Sequence, residues 1–215
     1  MAGLIEKDMR LLWCNKLSVI FFVVFAVIFG VSVKGNFILG YLPFAMCLLM
    51  INTIAYDEMD KGYQFLMTFP IDRKMYVREK YVLTLGIGVL SWGVAMVIYF
   101  VTKIMQGERL DMSMELPVTL SFLPVIVLFI LYMLPLQLKF GMEKTRIVMA
   151  GTCGAVGACI LGFAKFIGLD TINDRMESFD QMSGWVLLGI AVAVAVLLIA
   201  VSYRISIGIM KRKEF

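Results

Sequence analysis

The sequence predicts an all-α, polytopic membrane protein. Three observations support this prediction: 61% of the 215 residues are hydrophobic, the mean hydropathy is +0.89, and the apolar residues fall into six long segments. Soluble globular domains are roughly 45–50% apolar. Because no polar segment is long enough to fold alone, we expect residues 1–215 to form a single transmembrane domain.

The polar start of the chain, residues 1–16, predicts a short amphipathic helix that lies along the membrane surface. Its apolar residues can share one face of such a helix: Leu4, Ile5, Leu11 and Leu12. Trp13 would then lie near the lipid headgroups. The alternative is that this segment is only a charged start to the first membrane anchor.

Six apolar segments follow, and each is about long enough to cross a bilayer, which takes roughly 17–25 helical residues. They are residues 17–33, 35–56, 81–102, 116–138, 147–168 and 183–203. Each is expected to be a transmembrane helix, because lipid cannot satisfy the hydrogen bonds of free backbone groups. Six spans place both termini on the same side of the membrane.

The distribution of basic residues predicts which side that is. The N-terminal region, residues 57–80, residues 139–146 and the C-terminal tail together hold fifteen lysines and arginines, and the opposite side holds five. Cytoplasmic segments of membrane proteins are enriched in these residues. We therefore expect both termini in the cytoplasm. The basic residues are dispersed and mixed with acids, so no nucleic-acid site is predicted.

Small residues and prolines mark two of the spans. The fifth has small residues spaced by four: Ala150, Gly154, Ala158 and Gly162. This spacing lets helix backbones approach closely, and it is compatible with packing inside one subunit or with pairing between two. The fourth span contains Pro124 and Pro135, which are expected to kink its helix. Such a kink could gate a pathway or only shape the bundle.

The chain lacks the residues of the common catalytic and metal sites. It has no histidine, and none of its four cysteines forms a C-x-x-C pair, so neither a metal site nor a catalytic site is predicted. No phosphate-binding G-x-x-x-x-G-K-[ST] motif occurs. The centres of the six spans carry no ionisable residue, whereas ion-coupled carriers place such residues there. The energy for any transport is therefore expected to come from another protein.

The segment 57–80 is the longest polar-rich stretch between two spans, and ten of its 24 residues are charged. In its middle lies an apolar run with several aromatic residues. Aromatic residues, methionine and arginine are typical of interface cores. We therefore expect an apolar anchor to be buried against a protein partner, with basic residues at the rim. The anchor is formed by Phe65, Leu66, Met67 and Phe69, and the rim by Arg73 and Lys74. The alternative is a helix that lies on lipid and ends before Pro70.

The run YQFLMTFPIDRKMYVREKY, from Tyr63 to Tyr81, resembles a loop of ABC-2 type permeases. In that family the loop joins the second and third spans and commonly reads LLSLPISRxxYVxxKY. The opening LIEKDMR is similar to the family's L-x-x-K-D-x-x start. Thr68 and Phe69 stand where serine and leucine are common. The resemblance covers the layout of the whole chain.

This resemblance implies a permease, the membrane subunit of an ABC exporter. Residues 1–16 would be its elbow helix, and residues 57–80 its cytoplasmic coupling loop. The residues that would contact the ATPase are Tyr63, Gln64, Phe65, Leu66, Met67, Thr68, Phe69, Pro70, Ile71 and Arg73. Two permease subunits, expected to be identical, would bind two cytoplasmic ABC ATPases. ATP and magnesium would be bound by the ATPase, so this chain is expected to bind no cofactor and not to be an enzyme.

The compact layout is most similar to Gram-positive permeases that export amphipathic or antimicrobial peptides, including exporters of phenol-soluble modulins. This resemblance implies a multi-pass protein of the bacterial plasma membrane. Its cargo would be amphipathic peptides or other hydrophobic, antimicrobial compounds, which would link it to antimicrobial resistance. The alternative is a membrane-embedded interaction or regulatory protein without a transport cycle.

Overall fold

The computed structural model describes residues 2–32, 36–58, 72–107, 112–167 and 184–212. These residues form six helices, which we number in chain order. They are α1 (Ala2–Cys14), α2 (Lys16–Ser32), α3 (Phe37–Glu58), α4 (Arg73–Met105), α5 (Met112–Ile167) and α6 (Gly184–Arg212). No β-strand occurs in the described ranges, so the predicted all-α class is confirmed.

Four stretches of these helices are long and apolar enough to cross a membrane. They are α3, α4, the part of α5 over Glu115–Gly141, and the part of α6 over Ala193–Arg212. Helices α1 and α2 meet at a bend of 66° and would make a fifth if the pair were one broken span. The described residues thus support four or five crossings, and the count of six stays a prediction.

Large apolar side chains point away from the bundle along several helices. Leu17 of α2 is 79% exposed, Leu90 of α4 is 71% exposed and Leu197 of α6 is 69% exposed. Extended exposed apolar surface is typical of membrane or protein contacts. Together with the long apolar helices, these side chains indicate that the protein is embedded in a membrane.

Helix α3 lies at the centre and packs against α2, α4 and α5. One buried cluster joins α2, α3 and α4 through Leu39, Leu42 and Tyr99. A larger one joins α3 and α4 to α5 and α6, and it includes Ile54 and Leu134. Helix α3 therefore contributes to both buried clusters of the bundle.

Gly88 marks a close approach of α4 to its neighbours. A Cβ atom at this position would lie 3.1 Å from Cys47 Sγ of α3 and 3.1 Å from Ile130 Cδ1 of α5. A Cβ atom at Gly86 or Gly93 would meet nothing within 4 Å. Packing inside one subunit therefore explains the small residue at position 88.

Helix α5 consists of two helices that meet at Gly141, and they correspond to the predicted fourth and fifth apolar segments. Gly141 has φ 70° and ψ −179° and is the position of α5 with non-helical dihedral angles. Pro124 and Pro135 lie inside the helical part before it. The bend at Gly141 thus separates the predicted fourth and fifth spans, and the kinks expected at Pro124 and Pro135 stay a prediction.

Hydroxyl groups connect the last three helices within the bundle. The Tyr81 hydroxyl of α4 is hydrogen-bonded to Ser202 Oγ at 2.7 Å and to Ser206 Oγ at 2.8 Å. Ser202 in turn donates to the backbone carbonyl of Leu131 in α5 at 2.7 Å. Interhelical hydrogen bonds of this kind stabilise membrane bundles by about 0.6–2 kcal/mol each.

Charged residues lie near both ends of α4. Near its end, Lys103 forms an ion pair with Glu115 of α5, and the Tyr99 hydroxyl donates to the same carboxylate at 2.6 Å. Near its start lies Lys80. At 1.5 Å per residue, Lys80 and Lys103 are about 35 Å apart along the helix. This separation is close to the thickness of the hydrocarbon core, which is about 30 Å.

Candidate functional site

Seven polar side chains of α1, α3 and α4 meet at one end of the bundle. We call this group the polar cluster: Lys7, Asp8, Thr53, Asp57, Tyr76, Glu79 and Lys80. Apart from Lys7, each member is at most 6% exposed. Burying charges this deeply is costly unless they are paired and hydrogen-bonded. The pairing within the cluster is therefore what allows these helices to meet there.

Lys80 of α4 is the centre of the polar cluster and is 1% exposed. Its ammonium group donates a hydrogen bond to Asp8 of α1. It also lies 3.0 Å from Asp57 Oδ2 and donates to Thr53 Oγ1 at 2.9 Å, both in α3. One lysine side chain of α4 thus holds α1 and α3 together.

The two aspartates share a second cation. Asp57 accepts a hydrogen bond from Lys7 at Oδ1, and another from the Tyr76 hydroxyl at Oδ2 at 2.9 Å. Lys7 Nζ also lies 3.3 Å from Asp8 Oδ1. Two lysines and two carboxylates therefore balance in charge, and each carboxylate contacts both lysines.

Glu79 is the remaining acid of the polar cluster. It is fully buried, and no described lysine or backbone amide donates a hydrogen bond to its carboxyl oxygens. It lies within electrostatic range of Lys80 and Asp8. Because the charges of Asp8 and Asp57 are already balanced, a negative charge on Glu79 would be in excess.

Replacing Glu79 by glutamine is therefore expected to stabilise the protein by about 1 kcal/mol or more, because the change removes an unbalanced buried charge and keeps the side-chain shape. Thermal unfolding of the purified protein in detergent measures this. Glu6→Gln, at a well-exposed position of α1, is the matched control and is expected to stay within about 0.5 kcal/mol of wild type. A clear loss of stability in Glu79→Gln would contradict the excess-charge argument and indicate a partner outside the described residues.

Of the ten predicted ATPase-contact residues, nine lie outside the described residues: Tyr63, Gln64, Phe65, Leu66, Met67, Thr68, Phe69, Pro70 and Ile71. Their contact with an ATPase stays a prediction. Arg73 is described and is the first residue of α4. Its guanidinium donates to the backbone carbonyls of Met210 at 3.3 Å and Lys211 at 2.9 Å. The last carbonyls of a helix lack partners within it, so Arg73 fastens the end of α6 to the start of α4.

Both ends of the predicted loop 57–80 are helical. Helix α3 continues to Glu58 and helix α4 begins at Arg73, which leaves residues 59–72 as the connection between them. Asp57 lies in the last turn before this connection, and Tyr76 lies in the first turns after it. The polar cluster therefore joins both helix ends that flank the connection and adds α1 to them.

The bend of α5 lies at the same end of the bundle. A Cβ atom at Gly141 would lie 2.4 Å from Glu58 Oε2, so the end of α3 packs directly against the bend. The described parts of the N-terminal region, of the segment 57–80 and of the end of α6 thus lie at the same end of the bundle as the bend at Gly141. The side of the membrane that this end faces stays a prediction.

The charged members of the polar cluster lie in the N-terminal region and in the segment 57–80, and the sequence assigned none of them a partner. The available signal was a set of charged residues at the borders of apolar segments: Lys7, Asp8, Asp57, Glu79 and Lys80. Asp8 and Lys80 are 72 positions apart in the chain. No local spacing rule relates residues so distant, so their pairing became visible only in the folded bundle.

The helices and the polar cluster define a class: an α-helical, multi-pass membrane protein whose polar contacts converge on one connection between two spans. The comparison with family models is more specific. A model described as ABC-2 family transporter protein matches residues 3–211, and the chain belongs to this family. It is therefore a membrane-embedded permease component of an ABC transporter, a kind of protein that works with an ABC ATPase. Comparison with curated proteins and with solved structures gave no match.

Proposed function

We propose that this chain is the permease subunit of an ABC exporter that moves amphipathic peptides or other hydrophobic, antimicrobial compounds across the bacterial plasma membrane. Membership of the ABC-2 family supports the permease role. The observation that carries the coupling mechanism is the polar cluster, because it attaches both ends of the connection 59–72 to the bundle.

The proposed coupling step begins when the ATPase moves the apolar run inside this connection. A displacement there pulls on the end of α3 and the start of α4 together, since Tyr76 and Lys80 both contact Asp57. Lys80 also contacts Asp8, so α1, the proposed elbow helix, moves with them. Arg73 extends the same movement to α6.

The interior of the spans supports an apolar or amphipathic cargo. Between the charged end groups of α4, residues 81–102 contain no ionisable acid or base other than tyrosine, and the middle of α3 contains none other than tyrosine and Cys47. Ion-coupled carriers place such groups inside the bundle. A bundle without them is expected to take its energy from an ATPase that binds ATP and magnesium, and to move molecules without a high local charge.

We further propose that two copies of the chain pair. A Cβ atom at Gly151, Gly154 or Gly157, in the second part of α5, would meet no described atom within 4 Å. Small residues allow close contact between transmembrane helices. This face of α5 is therefore available to a neighbouring helix of the second permease subunit.

The coupling proposal predicts that the double substitution Phe65→Asp and Phe69→Asp reduces the amount of co-purifying ATPase at least tenfold. Truncating a buried aromatic anchor typically costs about 2 kcal/mol or more of binding free energy, and 1.4 kcal/mol is a factor of ten. The ratio of ATPase to permease is measured after a pull-down in mild detergent. Phe215→Asp, which places the same charge at the last residue, is the matched control and is expected to retain the ATPase.

The cargo is tested separately, by ATP-dependent accumulation of a labelled amphipathic peptide in inverted membrane vesicles. Accumulation that depends on ATP and is lost in the double variant supports the exporter. If the ATPase co-purifies but the peptide does not accumulate, the proposed cargo is wrong and the permease role is unaffected. Absence of any ATPase from the wild-type pull-down would instead favour the interaction or regulatory protein without a transport cycle.

A further inference from the structure

An apolar groove runs between α5 and α6 and ends at two basic residues. It consists of two adjoining cavities of about 550 Å³ and about 450 Å³, which share Lys139 and Ile205. Its walls include the following residues: Leu131, Tyr132, Lys139, Leu198, Ile205 and Arg212. We call it the α5–α6 groove. The apolar part lies deeper along the helices, and Arg212 lies at the last turn of α6.

The two basic side chains of the groove are available for an anionic group. Lys139 and Arg212 are exposed, and neither forms an ion pair with another residue that the structure describes. Lys139 Nζ lies 4.9 Å from the centre of the Phe140 ring, which positions it at the mouth of the groove. The groove therefore combines an apolar trough with a positively charged end.

We propose that the α5–α6 groove binds an anionic phospholipid, with one acyl chain along Leu131 and Ile205 and the phosphate between Lys139 and Arg212. Basic pockets between transmembrane helices near the cytoplasmic surface are typical sites for anionic lipid headgroups. This site is separate from the polar cluster and does not depend on which cargo is exported. It would make the activity of the permease sensitive to the anionic lipid content of the membrane.

The hydrogen bonds in the groove favour an acyl chain over a peptide. The Ser202 hydroxyl already donates to the carbonyl of Leu131, and the Tyr132 hydroxyl is already hydrogen-bonded to Thr152. An extended peptide backbone that entered the groove would leave its own polar groups unsatisfied in an apolar setting, which is unfavourable in a membrane. An acyl chain has no such groups to satisfy.

The charges of the groove also disfavour a second copy of the chain as its occupant. A two-fold contact places the same surface patch of each subunit against the other. Centred on the groove, such a contact would bring Lys139 and Arg212 of one copy close to those of its partner. Like charges at short distance repel, whereas a lipid phosphate is attracted by both side chains.

The test is native mass spectrometry of the full-length protein in micelles that contain either phosphatidylglycerol or phosphatidylcholine. The double variant Lys139→Gln and Arg212→Gln is expected to reduce the fraction of protein carrying phosphatidylglycerol roughly tenfold, because two basic contacts are lost. Binding of phosphatidylcholine is expected to stay unchanged. The matched control removes two exposed basic residues outside the groove, Lys144→Gln and Arg204→Gln, and is expected to retain phosphatidylglycerol.

A second variant tests the apolar part. Ile205→Trp, at a position that is 51% exposed, is expected to fill the groove and to reduce the binding of both lipids. The proposal is overturned if the Lys139 and Arg212 variants bind phosphatidylglycerol as wild type does. It is also overturned if Ile205→Cys forms an efficient disulfide between two copies in the membrane, because a second subunit would then occupy the groove.

Discussion

Replacing Lys80 by methionine is expected to lower the free energy of unfolding by about 3–5 kcal/mol, the usual cost of removing one partner from a buried ion pair. Methionine keeps most of the side-chain length but leaves Asp8 and Asp57 with a single cation, Lys7. For a chain of this size, the change corresponds to a fall in melting temperature of about 6–20 °C. Thermal unfolding of the purified protein measures it.

Two further variants test whether the loss of the ion pairs of Lys80 is the reason for the lower stability. Lys74→Met, at an exposed position of α4, is the control and is expected to change stability by no more than about 0.5 kcal/mol. The double variant Asp8→Leu and Lys80→Met removes both partners and leaves the pair of Lys7 and Asp57. It is expected to be more stable than Lys80→Met alone. Simple additivity of the two single effects would contradict a direct interaction between Asp8 and Lys80.

Replacing Gly141 by alanine is expected to destabilise the protein by about 1–3 kcal/mol, because its dihedral angles lie in a region that glycine alone populates readily. The new Cβ atom would also lie 2.4 Å from Glu58 Oε2 and 3.0 Å from Glu58 Cδ. The side chain at the end of α3 would therefore have to move. The shift in melting temperature reports the combined effect.

Gly151→Ala is the matched control for this substitution. Gly151 lies in the same helix after the bend, and a Cβ atom there would meet nothing within 4 Å. Alanine in a helix is favoured over glycine by up to about 1 kcal/mol, so this variant is expected to be neutral or stabilising. Adding Glu58→Ala to Gly141→Ala should recover only the part of the lost stability that comes from contact between the new Cβ atom and the Glu58 side chain. Equal effects of the two glycine substitutions would show that the bend does not require glycine.

The fold class was accessible to sequence reasoning because hydropathy alone decides it. The lengths of the apolar segments predict helices, and the described helices α2 to α6 occupy the predicted positions. The first and last residues of the helices were harder to predict from the sequence. Residues 73–80 were predicted as part of a loop because they are highly charged, yet they form the first turns of α4. Lys80 is paired with Asp8 of α1 and Asp57 of α3, and Arg73 donates to the end of α6. Hydropathy carries no information about such partners.

Single positions show the same limit. The contact of Arg73 with an ATPase stays a prediction, and nothing in the sequence indicated that its side chain donates to the carbonyls at the end of α6, 137 and 138 positions away in the chain. Gly141 stood in a short polar stretch between two spans, where many residues would serve as a turn. Glycine is needed at position 141 because of its backbone conformation and because Glu58 lies close to it. Both features depend on the packing of α3 against α5. Tertiary contacts therefore determine the roles of Arg73 and Gly141, which the local sequence pattern does not specify.

The pairing of Asp8 with Lys80 has a consequence for the synthesis of the protein. Helix α1 is synthesised before α2, α3 and α4, so its buried acid meets its partner only after two apolar helices and the start of α4 have been made. A nascent chain that stopped before position 80 would present Asp8 and Asp57 with one lysine between them. Helix α1 is thus expected to reach its final place only after Lys80 has been synthesised, although it precedes three of the helices that it joins or contacts.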